Sequence, residues 1–219
     1  MSVISIHNVF FRYKTGGFRL RIPEFKVDRS EKVAVIGPSG SGKTTLLNLI
    51  AGIVVPQTGK VQVNDICVSE LTDSERRKFR ITSLGFVFQD FELIDYLSVK
   101  DNILHPFRIT GTLKLNRTVR EHAVDLAQQM GIEGLLKRPV NKLSQGEKQR
   151  AAICRAILPK PKLILADEAT GNLDPDNKKH ILDLLFKSID DHDASLLAVT
   201  HDHELLDRFD RVVDFREFS

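Results

Sequence analysis

The residues best suited to chemistry stand in a few short runs. Gly37-Pro38-Ser39-Gly40-Ser41-Gly42-Lys43-Thr44 fits G-x-x-x-x-G-K-[ST] at every fixed position. Glycines let a backbone curl until successive N–H groups point inward at phosphate oxygens. A helix opening near Lys43 adds its positive end. The Lys43 ammonium then reaches the β- and γ-phosphates, and the Thr44 hydroxyl is a ligand for Mg²⁺. Thr45, the next residue, belongs to the same nucleotide-binding set. A chance glycine turn is the alternative, but an apolar "KVAVI" precedes the run and a helical "TTLLNLIAG" follows. Nucleotide binding is the reading. The run alone does not separate ATPase, GTPase and small-molecule kinase.

"LILADE" carries Asp167 and Glu168 at the C-terminal end of an apolar strand, where open parallel sheets build their sites. Asp167 suits a Walker B carboxylate on Mg²⁺. Glu168 can polarise an attacking water as general base. Two solvated strand-end carboxylates would be the bland outcome. His201 ends "LLAVTH" and Gln89 follows "LGFVF". The first can contact a γ-phosphate and the second can touch Mg²⁺ or water. Taken singly, each reads as a surface residue. His203, two residues past His201, is expected to face solvent, since two such histidines on a turn rarely make a metal site.

"NKLSQGEKQR" adds a second polar helix start. Ser144 and Glu147 have capping-box spacing ahead of a helix that runs to Pro159. A well-capped helix is explanation enough structurally. The same geometry also binds anions, through exposed N–H groups, a serine hydroxyl and the close approach Gly146 allows. Whether it reaches the loop of its own chain is left open by the sequence.

These residues need a scaffold. Val3 to Tyr13 and Phe18 to Ile22 read as strands around "KTGG"; Phe18, Leu20 and Ile22 alternate with arginines, as in a half-buried strand. "KVAVIG", "KVQVND", "LGFVF", "KLILAD", "SLLAVT" and "RVVDF" are further strands. Gly52 is a stop for the helix after the phosphate loop, and Thr72/Glu75 box the start of a basic helix. Val99 to Met130 reads as helical, with Ser98/Asp101 and Thr118/Glu121 as caps, and a further helix spans about Asp176 to Asp190. Apolar strands alternating with helices predict an α/β fold with a mainly parallel sheet. The N-terminal strands form an antiparallel β-subdomain. The helical middle, about 90–150, is an inserted subdomain within a core of 1–89 and 151–219.

The bulk numbers set limits. A chain of 219 residues buries a real core, and 42% hydrophobic with 28% charged residues is ordinary for a globular protein. A formal charge of +3 is too small to argue for nucleic acid. Cys67 and Cys154, the only cysteines, fit no metal or redox spacing, so a reduced cytosolic chain is expected. The longest apolar stretch, Leu49 to Val55, falls far short of the roughly 20 residues a membrane helix needs. "MSVISIHNVFFRYK" lacks a signal peptide's apolar run. Work at a membrane would go through a partner.

Taken in order, Tyr13, the Gly37–Thr44 loop, Gln89, "LSQGE", "LILADE", "GNLD" and "VTH" resemble an ABC transporter ATP-binding subunit over essentially the whole chain. The resemblance implies ATP with Mg²⁺, and two subunits packed head to tail. Each ATP would lie between one phosphate loop and the neighbour's Ser144, Gln145, Gly146 and Glu147. Tyr13 would stack on adenine, with Phe11 as runner-up. Asp174 of "GNLD" would communicate across the dimer. Membrane permease subunits would dock their coupling helices on the insert near Gln89, at the cytoplasmic side of the membrane. "LGFVFQDFELIDYLSVKDNI" and "ADEATGNLD" resemble the lipoprotein-release, macrolide-export and FtsE-type subgroup. Gln145 stands where the family's signature has its second glycine, which bears on catalytic rate. Ala169 stands where the subgroup has proline, with little effect expected. Export or lipoprotein release is the leading expectation, and transmembrane mechanotransmission the alternative. A soluble ATPase on DNA or ribosomes is disfavoured by the single cassette, the compact Gln89–Ser144 interval and the lack of zinc cysteines. A GTPase is disfavoured because neither "NKKH" nor "NKLS" supplies N-K-x-D.

Overall fold

The computed structural model describes residues 1–169 and 175–218. The chain opens with β1 (Ser2–Arg12) and β2 (Arg19–Asp28), paired antiparallel across the glycine turn. β2 buries Leu20, Ile22, Phe25 and Val27 in turn, and runs six residues past the end expected at Ile22. Pro23 falls inside it, and β2 is an edge strand, where a missing N–H is tolerated. Next come β3 (Lys32–Ile36), α1 (Lys43–Ile50), β4 (Thr58–Val63) and the short β5 (Ile66–Cys67).

α1 stops as expected. Gly52 has φ +63° and lies so close to Val68 and Arg76 that a Cβ would meet the first at 2.8 Å. Left-handed backbone and crowding both require glycine there. α2 (Asp73–Ser83) starts on the expected box: Thr72 Oγ1 accepts from Glu75 N while the Glu75 carboxylate accepts from Thr72 N at 2.8 Å. β6 (Leu84–Val87) follows.

The single helical stretch expected from Val99 to Met130 is three helices: α3 (Val99–Ile103), α4 (His105–Arg108) and α5 (Arg117–Gln129). Ser98 caps α3 through Asp101 N at 3.1 Å, as expected. Pro106 sits in the first turn of α4, where proline starts a helix better than it continues one. The expected Thr118/Glu121 cap is not formed. Asn116 takes its place, accepting from Val119 N at 2.9 Å, and Glu121 pairs with Arg117 one turn away. α6 (Gln145–Ile157), β7 (Leu163–Asp167), α7 (Pro175–Asp191), β8 (Ser195–Val199) and β9 (Arg211–Asp214) complete the order.

Two sheets result: antiparallel β2-β1-β4-β5, and all-parallel β6-β7-β8-β3-β9. Alternate residues of the parallel strands feed two separate cores. Leu163, Leu165, Leu197 and Val199 pack with α1 and the antiparallel sheet. Ile164, Ala166, Leu196 and Ala198 pack with α3, α5, α6 and α7. The period-two side-chain alternation of a strand thus divides the molecule into two halves that share one sheet. The expected α/β class, antiparallel subdomain and helical insert are all present.

Candidate nucleotide site

Because β3, β6, β7 and β8 are parallel, their C-terminal ends converge on one edge of the sheet. β3 delivers the Gly37–Gly42 loop, β7 delivers Asp167 and Glu168, and β8 delivers Thr200 and His201. A depression of about 220 Å³ lies there, lined by Ser39, Gly40, Gly42, Lys43, Thr44, Thr45, Tyr13, Phe18, Glu168, Val199 and His201.

The loop curls through left-handed glycines: Gly37 at φ +151°, Gly40 at +76° and Gly42 at +110°. A Cβ on Gly40 would meet nothing, whereas one on Gly42 would strike the Phe18 ring at 2.7 Å. Phe215, fully buried, closes the loop from behind against Gly37 and Gly42. Gly42 caps α1 without any side-chain bond, leaving the first-turn N–H groups facing the depression's side of the loop. Ser41 Oγ is buried with no hydrogen-bond partner.

Lys43 is buried and folds back along the loop, its Nζ donating to Gly37 O and Pro38 O, both at 2.8 Å. Burial pulls the Lys43 ammonium below its ordinary range, while Glu168 and Asp167 act to hold it up. Asp167 is pushed up, first by burial and then by Glu168. The Thr44 hydroxyl that donates to it, and the Lys43 and His201 charges, oppose this.

Glu168 adopts φ +47°, a left-handed conformation that costs a non-glycine residue on the order of 1–3 kcal/mol. Its N–H donates to Val199 O at 3.0 Å, which ties the turn to the next strand. The carboxylate Oε1 then meets His201 Nε2 at 3.0 Å. Tyr13 is 39% exposed, its hydroxyl 3.3 Å from Thr45 Oγ1. Phe11 is 4% exposed and stands edge-on beneath the Tyr13 ring, with centroids 4.8 Å apart. Of the two stacking candidates, only Tyr13 has a free face.

Other expected residues lie elsewhere. Gln89 occupies an exposed turn after β6, one strand beyond β7, and does not line the depression. Ser144, Gln145, Gly146 and Glu147 open α6 and do not line it either. Their capping box is real: Ser144 N donates to Glu147 Oε2 at 2.7 Å and Glu147 N to Ser144 Oγ at 3.3 Å. Ser144 and Gln145 remain exposed. Asp174 lies outside the described residues. His203 is exposed at the start of a 3₁₀ turn capped by Asp202, as expected. Among the described residues no cluster of three or more His, Cys, Asp or Glu forms a metal site, and no helix is long and apolar enough to cross a membrane. Sequence reasoning missed Phe18 and Phe215. The alternation of "FRLRI" marked Phe18 as apolar, but its packing on Gly42 joins residues far apart in the chain.

The family model described as "ABC transporter" matches residues 20–171. The ABC transporter ATP-binding protein YvcR of Bacillus subtilis is 42% identical over 199 residues, spanning 90% of this chain and 76% of that one. The lipoprotein-releasing system ATP-binding protein LolD of Nitrobacter winogradskyi is 37% identical over 213 residues, 96% of this chain and 91% of its own. The dimeric structure of MJ0796, a bacterial ABC transporter cassette, superposes with a TM-score of 0.84 at 32% identity, covering 96% of this chain and 93% of that one. A phosphate loop, strand-end carboxylates and a histidine on one sheet edge fit that company, and the chain belongs to the ABC transporter family as an ATP-binding, ATP-hydrolysing subunit.

Proposed function

We propose that this chain is the ATP-driven motor of a membrane transporter of the export or lipoprotein-release type, working as a head-to-tail pair. In the pair, each ATP lies between the phosphate loop of one copy and the start of α6 of the other. One observation carries this reading: α6 opens with a capped, exposed N-terminus at Ser144 and Gln145, and that terminus takes no part in lining the chain's own phosphate depression. An anion-binding helix end without an anion in its own chain calls for one from a second copy. The dimeric structure of the MJ0796 cassette supports the pairing of two copies.

The chemistry follows from the chain's own groups. The Tyr13 face stacks on the adenine base. Lys43 is held over the loop by two carbonyls and turns its charge to the β- and γ-phosphates on binding. Ser41 Oγ, buried and unpartnered, gains an acceptor in the phosphate chain. Water attacks the γ-phosphorus, the bond to the β–γ bridging oxygen breaks, and Glu168 takes the water's proton, leaving ADP and phosphate. His201 fixes the direction of the Glu168 carboxylate through their 3.0 Å contact and meets the γ-phosphate. The oxygen donors Thr44 and Asp167, already hydrogen-bonded to each other, fit a hard divalent cation. Mg²⁺ held there, with Gln89 approaching from the adjacent strand, would neutralise charge on the phosphates. Gln145 puts a side chain where closest approach to the partner's phosphate is needed, and Glu147 keeps the Ser144 N–H occupied. Asp174 is assigned the link across the dimer.

The membrane partner docks on the helical insert, about 90–150, with the chain peripheral on the cytoplasmic side. α6, Gln145–Ile157, continues past residue 150 and would link the insert to the core. Transport and force transmission share every step within this chain, and the identity of the membrane subunit separates them. Dimerisation is tested by the rate law. ATPase activity per chain should rise with protein concentration and plateau; activity strictly proportional to protein at all dilutions, with a monomer by sedimentation, would refute the pair.

A further inference from the structure

A cleft of about 480 Å³ opens at the edge of the parallel sheet opposite the phosphate loop, against about 220 Å³ for the nucleotide depression. The starts of β6, β7 and β8 reach it through Ser83, Lys162 and Ser195. Arg29 and Ser30 of the β2–β3 turn and Asn64 of the β4–β5 turn complete its rim. Because the strands are parallel, their far ends carry the nucleotide site, and no residue of that site lines this cleft.

Its charges are lopsided. Arg29, Lys160 and Lys162 line it against one acid, Asp193. Asp193 is already engaged, accepting from Ser30 Oγ at 2.7 Å and pairing with Lys162 at 3.3 Å. The Ser30 hydroxyl first, then Lys162, hold its carboxyl below the ordinary range, so it stays ionised and balances Lys162. Arg29 has only Asp65, 3.7 Å away, and both side chains are largely exposed, so that contact neutralises little. Lys160 Nζ meets no acceptor among the described residues, and its charge acts instead against protonation of His122. Arg29 and Lys160 thus leave the cleft with surplus positive charge. The floor beneath them is fixed: Ser195, 1% exposed, accepts from Ser30 N at 2.8 Å and donates to Asp28 O at 3.3 Å. The backbone is unusual as well. Ser30, Asn64, Lys160 and Asp193 all line the cleft in left-handed conformations, with φ of +59°, +47°, +56° and +50°. Asn and Asp adopt that region readily, but a lysine does not, and such positions gather at ligand clamps.

We propose that this cleft is a second anion site, separate from the nucleotide site, which takes the phosphate ester of a small hydroxyl-bearing molecule, with Arg29 and Lys160 holding the phosphate. A phosphate monoester brings close to two negative charges and three acceptor oxygens at neutral pH. That matches one guanidinium fork and one ammonium, whereas a single carboxylate leaves one cation unmatched. The cleft exceeds a lone phosphate and falls in the size range of small-ligand sites. The hydroxyls of Thr82 and Ser83 and the Asn64 amide offer hydrogen bonds to a polar body rather than to an apolar one. The inference does not depend on the membrane partner.

The test uses the full chain saturated with a non-hydrolysable ATP analogue and Mg²⁺, so that the phosphate loop is filled through the γ position. Titration calorimetry and phosphorus NMR then follow ribose 5-phosphate, inorganic phosphate and ribose. Ribose 5-phosphate should bind at one site per chain, more tightly than inorganic phosphate, and ribose should not bind. Lys160→Gln and Arg29→Gln, both at exposed positions, should each weaken the ester by about tenfold or more, the scale of one lost charge-assisted hydrogen bond. Affinity for the ATP analogue and melting temperature should stay unchanged in both. Absence of ester binding by both methods would overturn the site. Ester binding that survives both substitutions would place the ligand elsewhere and overturn it equally. Inorganic phosphate binding as tightly as the ester would overturn the assignment to an ester.

Discussion

Glu168 and His201 meet, Oε1 to Nε2 at 3.0 Å, although they arise from the ends of different strands. The left-handed turn at Glu168 and its N–H bond to Val199 O make that meeting possible. The pair lines the same depression as Ser39, Gly40, Gly42 and Lys43 of the glycine loop.

Glu168→Gln should therefore bind ATP with near-normal affinity yet lose at least ~10²-fold in turnover, the scale of a lost general base. It should also accumulate as dimer in ATP. His201→Ala, which frees the carboxylate without removing it, should lose less. Single-turnover kinetics with size-exclusion chromatography checks both, and normal turnover in Glu168→Gln would remove it as base.

Tyr13 and Phe11 should separate cleanly. Tyr13→Ala is expected to weaken nucleotide binding by about 1–3 kcal/mol, on the scale of base–aromatic stacking, with turnover at saturation close to normal. Phe11→Ala empties a core position and should cost about 3–5 kcal/mol of stability. Titration calorimetry and thermal melts distinguish the two, and an unchanged affinity in Tyr13→Ala would remove the stacking role.

The α5–α7 junction should be acid-sensitive. The His122 ring lies 5.8 Å from that of His192, and its Nε2 is buried without a partner. His192 donates through Nδ1 to Ser188 O at 2.8 Å. Burial first, then Lys160 and His192, hold His122 below the ordinary 6.5, with Asp125 opposing. A lowered folded-state value means the unfolded chain binds the proton more readily. Stability is thus complete above about pH 6.5 and declines as pH falls below it. His105, lowered by burial, Arg155 and Arg108, acts with the same sign. Melting temperatures at descending pH should fall less steeply in His122→Gln than in the unchanged protein; parallel slopes would contradict the assignment.

Local features were legible in the sequence, and long-range ones were not. The phosphate loop, the boxes at Thr72/Glu75 and Ser144/Glu147, and the Gly52 stop each depend on residues a few positions apart. The central parallel strands β3, β7 and β8 were visible because they are buried on both faces and almost wholly apolar. The reach of β2 past Ile22 was not legible, since tolerance of Pro23 depends on β2 lying at a sheet edge, which pairing decides. The helical insert misled. Helical periodicity survives across Pro106 and Gly111, yet the chain breaks there and restarts on Asn116. Phe11 lies in β1 and Tyr13 just past its end, and both are aromatic. Only the packed sheet separates the buried ring from the exposed one.

The central claim is a site shared between two copies, and mixing two disabled variants tests it most directly. Lys43→Ala removes the phosphate-loop cation, and Ser144→Arg blocks the α6 terminus. Each alone should be nearly inactive. In a head-to-tail mixed dimer the two lesions fall in one site and leave the other intact, so an equimolar mixture should recover about a quarter of normal ATPase activity. A mixture no more active than its separate components, or a fully active Ser144→Arg protein, would contradict the shared site.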